Sequence, residues 1–113
     1  MQKEIEDKMN LYTIVLEILD KGGTYIDQII SSNESLALIE WVSKEKKYRI
    51  IEEISDKDII YISNNMGLSD YKPVLLDGLQ SVWSTFISTE EKSLLFNIIQ
   101  TQSSACVRSM SLS

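Results

Sequence analysis

The sequence predicts an all-α fold, a compact single-domain bundle of five to six helices. Two helix-like stripes and a series of capping signals between them support this prediction. Ile5, Met9, Tyr12, Leu16 and Leu19 step by 4, 3, 4 and 3. Leu75, Leu79, Val82 and Phe86 step by 4, 3 and 4. Such spacing places apolar side chains on one face of a helix. Apolar residues make up 43% of the 113 residues and charged residues 25%, ordinary values for a chain with one packed core. The alternative fold class is α+β, with a β-hairpin at about 48–63.

The first helix is expected over residues 3–20, with Ile14, Val15 and Ile18 widening its stripe and Gly22 and Gly23 ending it in a left-handed cap. Thr24 and Asp27 then form a T-x-x-D capping pattern ahead of Tyr25, Ile26, Ile29 and Ile30. The triplet Ser31, Ser32 and Asn33 offers a cap for the next helix, which runs from Glu34 through Leu38, Trp41 and Val42.

Residues 44–58 admit two readings. One continues helically to Ile54, with Ser55 and Asp58 capping a helix that carries Ile59, Ile62 and Met66. The other makes Tyr48 to Ile54 and Ile59 to Ser63 two strands around a Ser-Asp-Lys-Asp turn, as their β-branched content favours. Beyond Gly67, Ser69 or Asp70 caps a long helix over Leu75 to Ile87, where Pro73 is tolerated in the first turn. Ser88 and Glu91 form a capping box for a last helix with Leu94, Leu95, Ile98 and Ile99 inward. Residues 1–100 form the helical domain, and the serine-rich residues 101–113 form a tail.

The chemistry available is narrow. The chain has no histidine and one cysteine, Cys106, so Ser-His and Cys-His nucleophile pairs, thiolate metal sites and C-x-x-C redox pairs are excluded. Phosphate-binding glycine loops, nucleophile elbows and calcium loops are missing as motifs. The adjacent carboxylates Glu52 with Glu53, Asp56 with Asp58, and Glu90 with Glu91 read as caps and solvated faces. No catalytic, metal-ligating or cofactor-binding residue is assigned, and the chain is read as a non-enzyme.

Net charge is −6 and unevenly distributed: residues 1–58 carry 13 acidic and 8 basic side chains, residues 59–113 only 4 and 3. An acidic chain is poorly suited to neutralising phosphates, so nucleic acid is the less favoured partner. No apolar run approaches the roughly 18 residues of a membrane span. With a charged N-terminal stretch and one cysteine, the expectation is a cytoplasmic protein of bacterial or phage type that makes no membrane contact.

The function expected is that of a protein-binding regulator or inhibitor, a small acidic protein of the immunity, antitoxin or phage-antagonist kind. It would occlude a protein partner, a basic nucleic-acid-binding one being the favoured target, and homodimer formation is compatible with its apolar stripes. Its candidate interface comprises Glu4, Asp7, Glu17 and Asp20 on the first helix, with Tyr71, Trp83 and Phe86. A rival reading starts from Ser63 four positions before Gly67, followed by Leu68, Ser69 and Leu76. This stretch, Ile59 to Leu79, resembles the helix-turn-helix family, departing from its pattern at Pro73. The resemblance implies a dimeric transcription regulator with a reading helix over Asp70 to Gln80. Lys44, Lys46, Lys47, Arg49, Ser69 and Lys72 would then be its DNA-binding residues.

Overall fold

A computed structural model describes residues 9–20, 22–65 and 71–102. The elements are strands β1 (Asn10–Ile18) and β2 (Thr24–Ser31), helices α1 (Glu34–Tyr48) and α2 (Asp56–Asn65), and strands β3 (Val74–Leu75), β4 (Val82–Ser88) and β5 (Ser93–Gln102). The strands form one antiparallel sheet in the order β2-β1-β5-β4-β3. The fold is therefore α+β. The all-α helical bundle is overturned, and the α+β alternative describes the class correctly.

The first stripe belongs to a strand. Tyr12 and Leu16, four apart, share a face in a helix and in a strand alike, so they do not separate the two. Ile14 and Ile18 decide it: both are buried with Tyr12 and Leu16, in alternation with the half-buried Thr13, Val15 and Glu17. This stretch is rich in β-branched side chains, which pack well on a pleated surface.

Gly22 and Gly23 take positive φ as the C-cap reading required, but they turn a hairpin, with Ile18 N–H donating to the Gly23 carbonyl over 3.0 Å. The Thr24 and Asp27 pattern caps no helix; both residues lie in β2.

The middle of the chain is helical where Ser31, Ser32 and Asn33 announced it. Asn33 caps α1, its side chain accepting from Leu36 N–H at 2.8 Å. Arg49 closes the helix in the left-handed conformation, its N–H donating to the Glu45 carbonyl. The loop to α2 is tied by Glu45, which is buried and accepts from Arg49 Nη1 at 2.9 Å and from Ile51 N–H at 2.9 Å. Ser55 and Asp58 then form a reciprocal capping box, each side chain accepting from the other's N–H at 3.1 Å. Because α2 occupies 56–65, the hairpin proposed at 48–63 is not where the strands lie.

The long helix over Leu75 to Ile87 and the final helix are also overturned. Val74 and Leu75 form a short strand, a turn follows with Gly78 at φ +78° and Ser81 at φ +68°, and β4 begins at Val82. Ser88 and Glu91 cap no helix. Thr89 instead organises the β4–β5 hairpin, its N–H donating to the Lys92 carbonyl at 2.8 Å. Thr101 and Gln102, assigned to the tail, complete β5. Met66, Gly67, Leu68, Ser69, Asp70 and residues 103–113 lie outside the described residues.

Both helices pack on one face of the sheet. Ala37, Leu38, Trp41 and Val42 of α1, with Ile59 and Ile62 of α2, join Tyr12, Ile14, Leu16, Ile18, Leu94, Phe96 and Ile98 in one core. Trp41 meets Phe96 edge to face at 5.2 Å between ring centres.

Candidate protein interface

Residues directly opposite in an antiparallel pair point to the same side of the sheet, so the register assigns each side chain to a face. Along the middle row, Ile26 pairs with Val15, Val15 with Asn97, Asn97 with Ser84, and Ser84 with Val74. None of these five belongs to the helix-packed core, so the row lies on the side away from the helices. Neighbouring rows add Leu95 with Phe86 and Ile99 with Val82. Large apolar side chains stand open here: Ile26 is 68% exposed, Val74 64% and Phe86 49%.

This face is nearly free of charge. Glu17 and Asp27 are the only charged residues in the five strands. Asp27 alternates to the helical side and pairs with Lys44 of α1 at 2.9 Å. Of the charged residues in the five strands, Glu17 alone remains on the open face, level with Leu95. Among the described residues this face combines Val15, Ile26, Phe86, Leu95 and Ile99 with uncharged polar side chains, Thr13, Gln28, Ser84 and Asn97, and one carboxylate, a depletion of charge that interface cores share.

The residues expected to form the interface are dispersed. Glu17 and Phe86 do lie on the open face. Asp20 sits in the β1–β2 turn and accepts from Ser93 N–H, joining that turn to β5. Trp83 is on the opposite face, edge to face with Tyr12 at 6.1 Å. Tyr71 packs beside the core and its hydroxyl meets that of Tyr61 at 3.2 Å. Glu4 and Asp7 lie outside the described residues. A helical reading could not have found the face, because Leu95, Asn97 and Ile99 share a side only under a period of two and Val15 joins them only through strand pairing. The usable signal was the alternation within Leu11 to Ile18 and Leu94 to Ile99.

The residues of the DNA-binding reading lose their reading element, since residues 71–80 contain a two-residue strand and a turn in place of the helix Asp70 to Gln80. Lys44 is paired with Asp27, and Arg49 with Glu45 and Asp56. Lys46 and Lys47 are exposed at the end of α1, with Lys47 5.3 Å from the Tyr48 ring centre, and Lys72 is exposed beyond Tyr71. Ser69 is outside the described residues.

One buried polar cluster lies on the helical side. Asp58, 2% exposed, accepts from the Thr89 hydroxyl at 2.6 Å and from Lys92 Nζ at 3.2 Å, besides its capping bond to Ser55. Burial alone would raise its carboxyl's pKa, but the bonds from Thr89, Ser55 and Lys92 together hold it below the ordinary value. These partners occupy the carboxylate, so the cluster ties the start of α2 to the β4–β5 hairpin and offers no unpaired base or nucleophile.

A cavity of about 260 Å³ lies beside the cluster, lined by Lys57, Asp58, Ile60 and Tyr61 among others. The adjacent carboxylate pairs take separate partners: Asp56 bonds Arg49, Glu53 accepts from Tyr25, and Glu90 pairs with Lys57 at 3.2 Å. Among the described residues no three cysteine, aspartate or glutamate side chains converge in a way that could hold a metal ion. Among them, too, no helix is long and apolar enough to cross a membrane.

No protein-family model, no curated protein and no solved structure matches the chain.

Proposed function

We propose that this chain is a non-enzymatic protein-binding regulator that acts by occluding a protein partner, with the open sheet face as its interface. A single observation supports this reading: five strands present a face bearing Ile26, Val74, Phe86, Leu95 and Ile99 with Glu17 as its only charge among the described residues, in a chain where 25% of residues are charged. Leaving such a face in water forgoes about 25 cal/mol for each Å² of apolar surface that a partner would cover. The net charge of −6 favours encounter with a cationic partner, because opposite charge steers association.

The test is capture from the native host with the tagged chain, after nuclease treatment. Leu95→Lys places a charge in the open face, whereas Ile60→Lys places one on the helical side. Loss of a stoichiometric protein with Leu95→Lys and its retention with Ile60→Lys is the expected result. Equal retention by both variants would remove the open face as the interface.

A further inference from the structure

We infer that the occupant of the open face is a second copy of this chain, packed sheet against sheet about a two-fold axis. This rests on the reading of that face as an interface and names what covers it. The geometry of the face favours self-pairing. β5 is the middle strand of the five, and Asn97, flanked by Val15 and Ser84, sits in the middle row with Ile26 and Val74 beyond. A two-fold axis passing through the centre of the face sets its central residue against the same residue of the other copy. A carboxamide carries both donor and acceptor, so Asn97 can bond its own counterpart with no other group recruited.

The apolar residues around it, Val15, Leu95, Ile99, Phe86 and Val82, meet an identical set, as an interface built from one patch requires. The face has the size for it. The four long strands at about 4.8 Å spacing and seven residues at about 3.3 Å rise cover on the order of 450 Å² in projection. Two such faces, before their corrugation is counted, bring a dimer to roughly the 1,000 Å² that a specific interface needs. Sheet-on-sheet packing with strands within about 30° of each other is the ordinary way two such faces close.

Charge is consistent with the same arrangement. Two chains of −6 repel at long range, but among the described residues Glu17 is the only charge on the face, and it lies one strand and two residues from Asn97. The remaining charges of the described residues lie on the helical side and in the loops, outside the contact. A host protein that binds through the open face competes with the second copy for it.

The test is the mass of the full chain in solution, by light scattering and sedimentation, from about 1 to about 100 µM, a range that brackets micromolar dissociation constants. Twice the 12.9 kDa of one chain is expected at the upper end. Leu95→Lys is expected to give the single-chain mass throughout, with an unchanged far-ultraviolet circular dichroism spectrum. Asn97→Asp sets two like charges against each other on the axis, and is expected to weaken the dimer at least about tenfold, with partial recovery in high salt. Ile60→Lys is expected to leave it unchanged.

A single-chain mass for the unaltered protein at every concentration overturns the inference, as does a dimer indifferent to Leu95→Lys and Asn97→Asp. The two readings fail separately. If the protein is monomeric and Leu95→Lys still abolishes capture of a host protein, the second copy is wrong and the interface stands. Capture indifferent to Leu95→Lys in a monomeric protein removes both.

Discussion

The two sides of β5 differ in a way that explains most of this molecule. Leu94, Phe96 and Ile98 are fully buried beneath the helices, while Leu95, Asn97 and Ile99 are only half-buried on the open side. One strand thus carries two faces of comparable apolar content, and the chain supplies helices for one of them. What separates the faces is seating. Trp41 against Phe96 and the Asp58–Lys92 tie fix helical elements over the first side, whereas no described element lies over the second. A face left open by the described residues is open for association, and the comparison can be broken or sharpened from either side.

The largest effect is expected on the covered side. Phe96→Ala empties a site with no exposure and removes the ring that meets Trp41, so a loss of about 3–5 kcal/mol in unfolding free energy is expected from denaturant titration. A loss below about 1 kcal/mol would mean that Phe96 is not in a packed core.

How much of this was legible in the sequence depends on period. Asn33 as a helix cap and the Ser55–Asp58 box were readable because capping chemistry is local: a side-chain oxygen needs only a backbone N–H two or three residues on. The positive φ at Gly22 was likewise implied by the residue type, whereas Gly78, also at positive φ, lay inside the helix expected over Leu75 to Ile87. The strands were misread because Tyr12 with Leu16 and Val82 with Phe86 are spaced by four, a step common to both periods. Only the intervening residues separate the two, and there Val15 and Leu95 are apolar on the open face, which blurs the alternation. Sheet order is set by pairings such as Val15 with Asn97, more than 80 positions apart, and no local pattern encodes those. The candidate face was illegible for the same reason, since Glu17 and Phe86 were named but their common face was not.

A second test probes what seats the helices. Lys92→Met leaves Asp58 buried with its ammonium partner removed, and is expected to cost about 3 kcal/mol, since breaking a buried ion pair strands a charge. The pH dependence follows from the lowered carboxyl. With a folded value below the ordinary 3.8, Asp58 contributes stability that is fully present above the unfolded value and lost as pH falls through the folded one. Denaturation midpoints compared at pH 7 and about pH 3 should therefore fall less in Lys92→Met than in the unaltered protein, because the substitution removes one of the groups holding that carboxyl ionised. An equal fall in both would show that Lys92 does not stabilise the ionised carboxylate.

The smallest effect on folding is expected at the open side, and there the sign carries the information. Phe86 is 49% exposed and its row partner Leu95 is half-buried, so Phe86→Ser removes little buried surface within one chain. A change within about 0.5 kcal/mol is expected when unfolding is measured at a concentration low enough to keep chains apart. At high concentration the same substitution should lower the midpoint, because a partner that binds only the folded chain adds stability by mass action and Phe86→Ser weakens its seat. Midpoints of the unaltered protein that rise with concentration, and variant midpoints that stay flat, would locate that added stability on the open face. Midpoints that are flat for both would mean that the apolar face of β4 and β5 gains nothing from a second chain. The contrast between Phe96 and Phe86 would then be one of burial within a monomer.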